Sequence, residues 1–222
     1  VARITYDNNA YTDYKVYGLS PYYERRFDQK NYGTLALTAS RYESTSGSSL
    51  TSESYGPQIG WTTNHTDKFS TRFTAGAEST HKSGVNAGSE RNAWNYVFSG
   101  SVNYKGDVDT VSLAATRARE PFGNGTETLL TSVALNERHA INEKVALKAS
   151  AAYQTADYTT EPGINLDRGI NAGTGLSYTL SDDLDLNADY GFRHEKLTNS
   201  IGDAQQHSVM LGVNYHPSWS RN

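Results

Sequence analysis

The densest run of ligand-capable side chains is SDDLDLNADYG, in which Asp183, Asp185, Asn187 and Asp189 recur at every second position. Two chemistries use that spacing. An EF-hand calcium loop begins D-x-[DN]-x-[DN], then needs glycine at its sixth position and a bidentate glutamate at its twelfth. Here those positions hold Ala188 and His194, so the turn and the decisive ligand are both missing. The other reading is a β-strand with its carboxylates on one face and Leu184, Leu186, Ala188 and Tyr190 on the other. An acidic row of that kind beside an aqueous space raises the local cation concentration.

Basic groups share the acidic row's face. Lys144 and Lys148 have the same parity two strands earlier, and Arg193, Glu195, Arg72, Glu78, Glu24 and Arg26 are also expected on that side. Opposed acidic and basic rows make a transverse field that orients polar or zwitterionic solutes; alternatively, they pair across the interior and stiffen it. His194 and His207 lie equidistant from the centre of the last long connection and are expected as cross-strand neighbours. Two imidazoles there suit a metal or a lipid phosphate, or simply an exposed polar rim.

No hydrolase constellation is present. The chain has six histidines, no G-x-S-x-G and no H-E-x-x-H. The nearest serine-hydrolase set is His207 with Ser208 or Ser200 and Asn199, and Ser208 points away from His207 in a strand. No catalytic residue, metal or cofactor is assigned.

The elements that position these groups are strands. In Trp94 to Tyr104 (WNYVFSGSVNY) the even positions are mostly apolar or aromatic and most odd ones are small and polar. Such runs recur near 1–7, 14–27, 32–43, 53–63, 69–81, 92–105, 108–119, 127–138, 144–157, 168–180, 184–197 and 205–215, which makes twelve. Connections alternate in length. Short ones fall at 28–31, 64–67, 106–107, 139–143 and 181–183, and long ones at 8–13, 44–52, 82–91, 120–126, 158–167 and 198–204. That alternation is the signature of a transmembrane β-barrel with short periplasmic turns and longer external loops. An even strand number then puts both termini at the periplasmic end.

Aromatic residues gather at both strand ends, as rings favour the headgroup boundary. Phe27, Tyr32, Trp61, Phe69, Tyr104, Tyr178 and Tyr215 lie beside short turns; Tyr6, Tyr17, Tyr55, Trp94, Tyr153, Tyr190 and Phe192 lie toward the long loops. Trp94 and Tyr104, ten residues apart on one face, span roughly 25 Å along a bilayer normal at ~40° tilt. The opposite face is small: Asn171, Gly173, Gly175, Ser177 and Thr179, then Ser208, Gly212 and Asn214. Twelve strands enclose more space than such side chains fill, so the lumen is expected to be wet unless a loop folds inward.

Composition agrees with this picture. Only 36% of the 222 residues are hydrophobic and mean hydropathy is −0.67, which a barrel tolerates because half of each strand faces water. No stretch approaches the ~20 apolar residues of a membrane helix. Cysteine is absent, and a net charge of −4 leaves no basic footprint for nucleic acid. A soluble β-sandwich also alternates, yet has no reason to sort its loops by parity. The chain opens almost directly in strand-like sequence, so the expectation is a processed mature protein or a barrel cut from a longer one.

The last stretch, DYGFRHEKLTNSIGDAQQHSVMLGVNYHP, is similar to the closing hairpin of bacterial outer-membrane β-barrels, whose final strand ends G-x-x-Y-x-F. Leu211 to Tyr215 fit, while His216 replaces the usual terminal aromatic. The resemblance implies an up-and-down barrel over 1–215 with a short periplasmic tail at 216–222. It also implies a monomer in contact with outer-membrane lipid and lipopolysaccharide, the latter facing Lys82, Arg91, Arg117, Arg119, Arg168 and Lys196. Relatives of this size include acidic-sugar channels, nucleoside channels, autotransporter translocators and polysaccharide-export barrels. The expected function is passive diffusion of small hydrophilic solutes, with lumen charges setting preference. An export barrel of a larger system, or an adhesin acting through the loop STSGSSLTSES, are the alternatives.

Overall fold

A computed structural model describes residues 2–4, 13–44, 50–84, 92–121, 127–157, 165–198 and 203–215. All the strands join one antiparallel sheet: β1 (Ala2–Ile4), β2 (Tyr14–Leu19), β3 (Tyr22–Arg26), β4 (Asn31–Ser44), β5 (Leu50–Asn64), β6 (Phe69–Gly84), β7 (Asn92–Lys105), β8 (Asp109–Pro121), β9 (Glu127–Ala140), β10 (Val145–Asp157), β11 (Asn165–Ser181), β12 (Leu184–Thr198) and β13 (Asp203–Tyr215). Each strand pairs with the next, except that β2 and β3 both pair with β4. Those two are one strand interrupted at Ser20 and Pro21: Leu19 pairs with Ala39 and Tyr22 with Ala36, so the register runs on unchanged. Proline lacks the N–H that the ladder needs and restricts the residue before it. Twelve strand positions result, as the alternation predicts, and no helix occurs among the described residues.

Short turns close the hairpins at one end of the sheet, and all of them are described. The Asp28 carboxylate accepts from the Lys30 and Asn31 backbone N–H groups at 2.7 and 2.9 Å and from the Asn31 amide at 2.7 Å. Those bonds, led by the Asn31 amide, hold its pKa below the usual carboxylate value. Between neighbouring turns, Lys68 Nζ meets Asp107 Oδ1 at 2.7 Å. Outside the described set lie residue 1, residues 5–12, which include the end of the expected first strand, parts of the other long connections, Arg91 among them, and the tail at 216–222.

The two faces divide as strand parity requires. Leu35, Ile59, Trp61, Phe73, Trp94, Tyr104, Leu135, Leu147, Leu176, Tyr190, Leu211 and Tyr215 are exposed on one face. An apolar surface of that extent is untenable in water and is what hydrocarbon covers in a membrane barrel. The single sheet also disposes of the sandwich alternative, which needs two sheets packed over a core. Tyr32 departs from the aromatic pattern: it pairs with Thr62 on the polar face and carries Arg26 over its ring at 5.6 Å.

At the short-turn end Phe27 stacks on Trp61 with ring centroids 5.1 Å apart. Both cover Gly33, where an added Cβ would lie 2.7 Å from the Phe27 ring. The ring shields a backbone stretch that has no side chain of its own. Phe27→Ala is therefore expected to cost about 1 kcal/mol of ring-pair energy beyond the area lost. Urea unfolding of the folded protein in lipid vesicles measures it.

Candidate functional site

Asp185, Asn187 and Asp189 stand in β12 on the polar face, opposite Thr179, Ser177 and Gly175 of β11. The strand reading of the acidic run holds, with only Asp183 in the preceding turn. Asp185 accepts from Thr179 Oγ1 at 2.8 Å. Asp189 leans over Gly175, where a Cβ would sit 2.1 Å from its Oδ1.

Lys148 flanks Gly175 on the other side and donates from Nζ to Asn187 Oδ1 at 3.2 Å. Arg138 pairs directly with Lys148 on β9. One cross-strand row thus reads Arg138, Lys148, Gly175, Asp189, covering three strand spacings or roughly 14 Å. Two cations face one carboxylate across a glycine. The row borders a cleft of about 840 Å³, lined also by Asn136, Asn171 and Arg193. Arg193 is ion-paired to Glu195. Arg72 belongs to the same face and donates to Thr62 Oγ1 at 3.2 Å. Lys144 does not reach the row: β10 starts one residue later, leaving it in the exposed short turn. Arg138 escaped the sequence reading because it stands where the predicted strand ends.

Toward the long-loop end this face is packed rather than open. Tyr42, Leu50, Ser52, Ser54, Thr80 and Val97 are all buried on it. Tyr14 and Val16 of β2 pack on Tyr42 and Leu50, and the end of the β8–β9 hairpin lies over Ser52 and Thr80. The β7–β8 ladder stops at Phe98↔Arg117, although β8 continues to Pro121 and β7 begins at Asn92. Beyond that point Arg119, Glu127 and Leu129, which parity assigns to the lipid face, line a cavity of about 90 Å³ with Thr80, Lys82, Ala93 and Asn95 of the polar face. Arg119 Nε meets Glu78 Oε1 at 3.0 Å, the side chains 9% and 12% exposed. Thr80 Oγ1 donates to the same carboxylate at 3.3 Å and bonds Ser54 Oγ at 3.0 Å.

Three expectations change accordingly. Arg119 turns inward to Glu78 instead of offering its charge at the rim. Arg117 is held against the Tyr96 ring at 4.4 Å and paired with Asp157 at 2.5 Å. The loop expected at 44–52 yields its last three residues to β5, where Leu50 is 2% exposed because it packs with Tyr42, Tyr14 and Val16.

The histidines do not converge. His207 pairs with Phe192 and His194 with Gln205, each two residues away from the symmetric expectation. His207 Nδ1 bonds Tyr190 Oη at 2.8 Å, while His194 faces Asp203 at 3.4 Å. Among the described residues no three histidine, aspartate or glutamate side chains form a metal-holding group. Ser208 pairs with Gly191 on the face opposite His207, as strand parity requires.

Residues 5–216 match the model of a family described as "Putative beta-barrel porin 2". The chain belongs to this porin family. No curated relative matches it in sequence. Among solved structures, the FrpB iron transporter from Neisseria meningitidis is similar at a TM-score of 0.59 and 9% identity, over 84% of this chain and 36% of that one. The copper transporter OprC gives 0.55 at 15% identity, over 93% and 41%. The porin chain therefore spans about a third of the first structure and two fifths of the second. Both likenesses are of fold: an outer-membrane β-barrel sheet.

Proposed function

We propose that this porin is a passive outer-membrane channel for small hydrophilic solutes, with the Arg138, Lys148 and Asp189 row setting preference among them. The observation that carries this reading is the cleft beside that row, on the face that carries the charged, polar and small side chains, with Met210 beside Asp189, while the reverse face is apolar. A water-filled path lined by fixed charges conducts down a gradient without a chemical step. In this reading both termini lie at the periplasmic end with the short turns. The outer rim meets lipopolysaccharide through Lys196 and Arg168, and the protein works as a monomer. No catalytic group is invoked.

The purified protein in planar bilayers is expected to give steady, ohmic single-channel currents. Membranes that stay silent at every protein concentration would remove the channel reading.

A further inference from the structure

We propose that the ends of β8 and β9 are a built-in constriction, pinned by the Glu78–Arg119 pair, that limits the size of solute the lumen admits. The proposal rests on the channel reading and goes beyond it by naming the element that narrows the path.

Arg119 stands two residues past the last β7–β8 pair, roughly 7 Å along the strand, and its long side chain extends the reach of the segment further. Two strand spacings are roughly 10 Å. The segment is thus long enough to cross β7 and bring Arg119 to Glu78 on β6, as the 3.0 Å contact records. Glu127, on the other strand of the hairpin, lies beside Ser52 of β5, with Arg119 and Lys82 as its nearest cations. The hairpin end therefore overlies three strands of the polar face, and Thr128 near its tip is tied to β10, its Oγ1 donating to the Asp157 carbonyl at 3.1 Å.

Charge explains why the segment stays there. A guanidinium and a carboxylate taken out of water are tolerated only when paired, and removing one partner strands the other. Glu78 is doubly engaged, by Arg119 and by Thr80, which is itself fixed to Ser54. Leu129 of the hairpin is buried and lines the same small cavity as Arg119. Without the pair, Arg119 and Glu127 regain hydration by swinging out to the rim, and the lumen widens.

The test compares the wild type with Glu78→Gln, Arg119→Gln and the swapped Glu78→Arg, Arg119→Glu double variant. Folding of each is checked by heat-modifiable gel mobility. Single-channel conductance and liposome swelling in neutral sugars of increasing size are the readouts. Both single variants are expected to conduct severalfold more and to admit a larger sugar than the wild type, and the swap to return both values toward it. Folded single variants with unchanged conductance and size limit would overturn the constriction while leaving the channel intact. Silence of all four proteins would instead overturn the channel reading, and the constriction with it.

Discussion

Replacing Arg138 and Lys148 together by glutamate is expected to make the channel about tenfold more permeable to cations at low salt. Each substitution changes the wall by two unit charges, four in all. A unit charge about 10 Å from a permeating ion in water contributes about 0.4 kcal/mol, so four contribute about 1.6 kcal/mol. A factor of ten is about 1.4 kcal/mol. The two side chains are direct cross-strand neighbours, so both act at one level of the lumen. Neither is ion-paired among the described residues, and Lys148 gives only one hydrogen bond to a neutral amide. The complementary pair, Asp185→Asn with Asp189→Asn, removes two negative charges and is expected to move selectivity the other way by about fourfold.

Reversal potentials under a salt gradient measure both changes. The shifts must shrink as ionic strength rises, since the Debye length falls from about 10 Å at 0.1 M to about 3 Å at 1 M. Selectivity that ignores both substitutions would take the row out of the permeation mechanism. Selectivity that shifts equally at high and low salt would point to altered pore shape instead of charge.

The architecture was legible because it depends on a period of two and on the grammar of turns, both local. Trp94 to Tyr104 alone states which face meets lipid, and β7 occupies the range its alternation predicts, Asn92–Lys105. Inward parity of Asp185, Asp189, Lys148, Arg193, Arg72 and Glu78 follows from the same rule and is met by the register. Even the interruption at Pro21 has a local cause.

What escaped is whatever depends on where a ladder stops. Parity locates a side chain only while the strand stays paired in the sheet. Past Phe98↔Arg117 the β8 strand leaves β7, and Arg119 changes from an outward to an inward residue without any change in its alternation. A signal was present in the charges. Arg117, Arg119 and Glu127 occupy outward positions at the hairpin's end, and a basic side chain facing hydrocarbon costs about 2–4 kcal/mol at mid-bilayer. Such a cluster has to lie above the lipid or turn away from it, and here Arg119 and Glu127 turn away. The His194 and His207 offset has the same root, because the centre of a loop does not fix the register of the strands it joins.

Gly56→Ala is expected to prevent or severely slow folding of the whole sheet. A Cβ at Gly56 would lie 1.9 Å from the Ala77 carbonyl oxygen and 3.0 Å from the Glu78 Cα, both backbone atoms that no rotamer change can move. Gly76 is the counterpart on β6, with a Cβ position 2.4 Å from the Pro57 carbonyl oxygen. The β5–β6 ladder passes from Tyr55↔Ser79 to Gln58↔Gly76 with no pairing at Gly56 and Pro57, where proline has no N–H to give. The two glycines let the backbones close up around that gap. β5 is also fastened on its other side, where Thr38 Oγ1 donates to the Gly56 carbonyl at 3.2 Å, so it cannot simply retreat. Overpacking ordinarily costs about 1–3 kcal/mol, and a clash with backbone on a strand fixed from both sides belongs at or above the top of that range. Gly212→Ala provides the control, since nothing lies within 4 Å of its added Cβ. The yield of heat-modifiable folded protein after refolding into detergent separates the two, and Gly56→Ala folding as well as Gly212→Ala would show that the two backbones do not meet as closely as described.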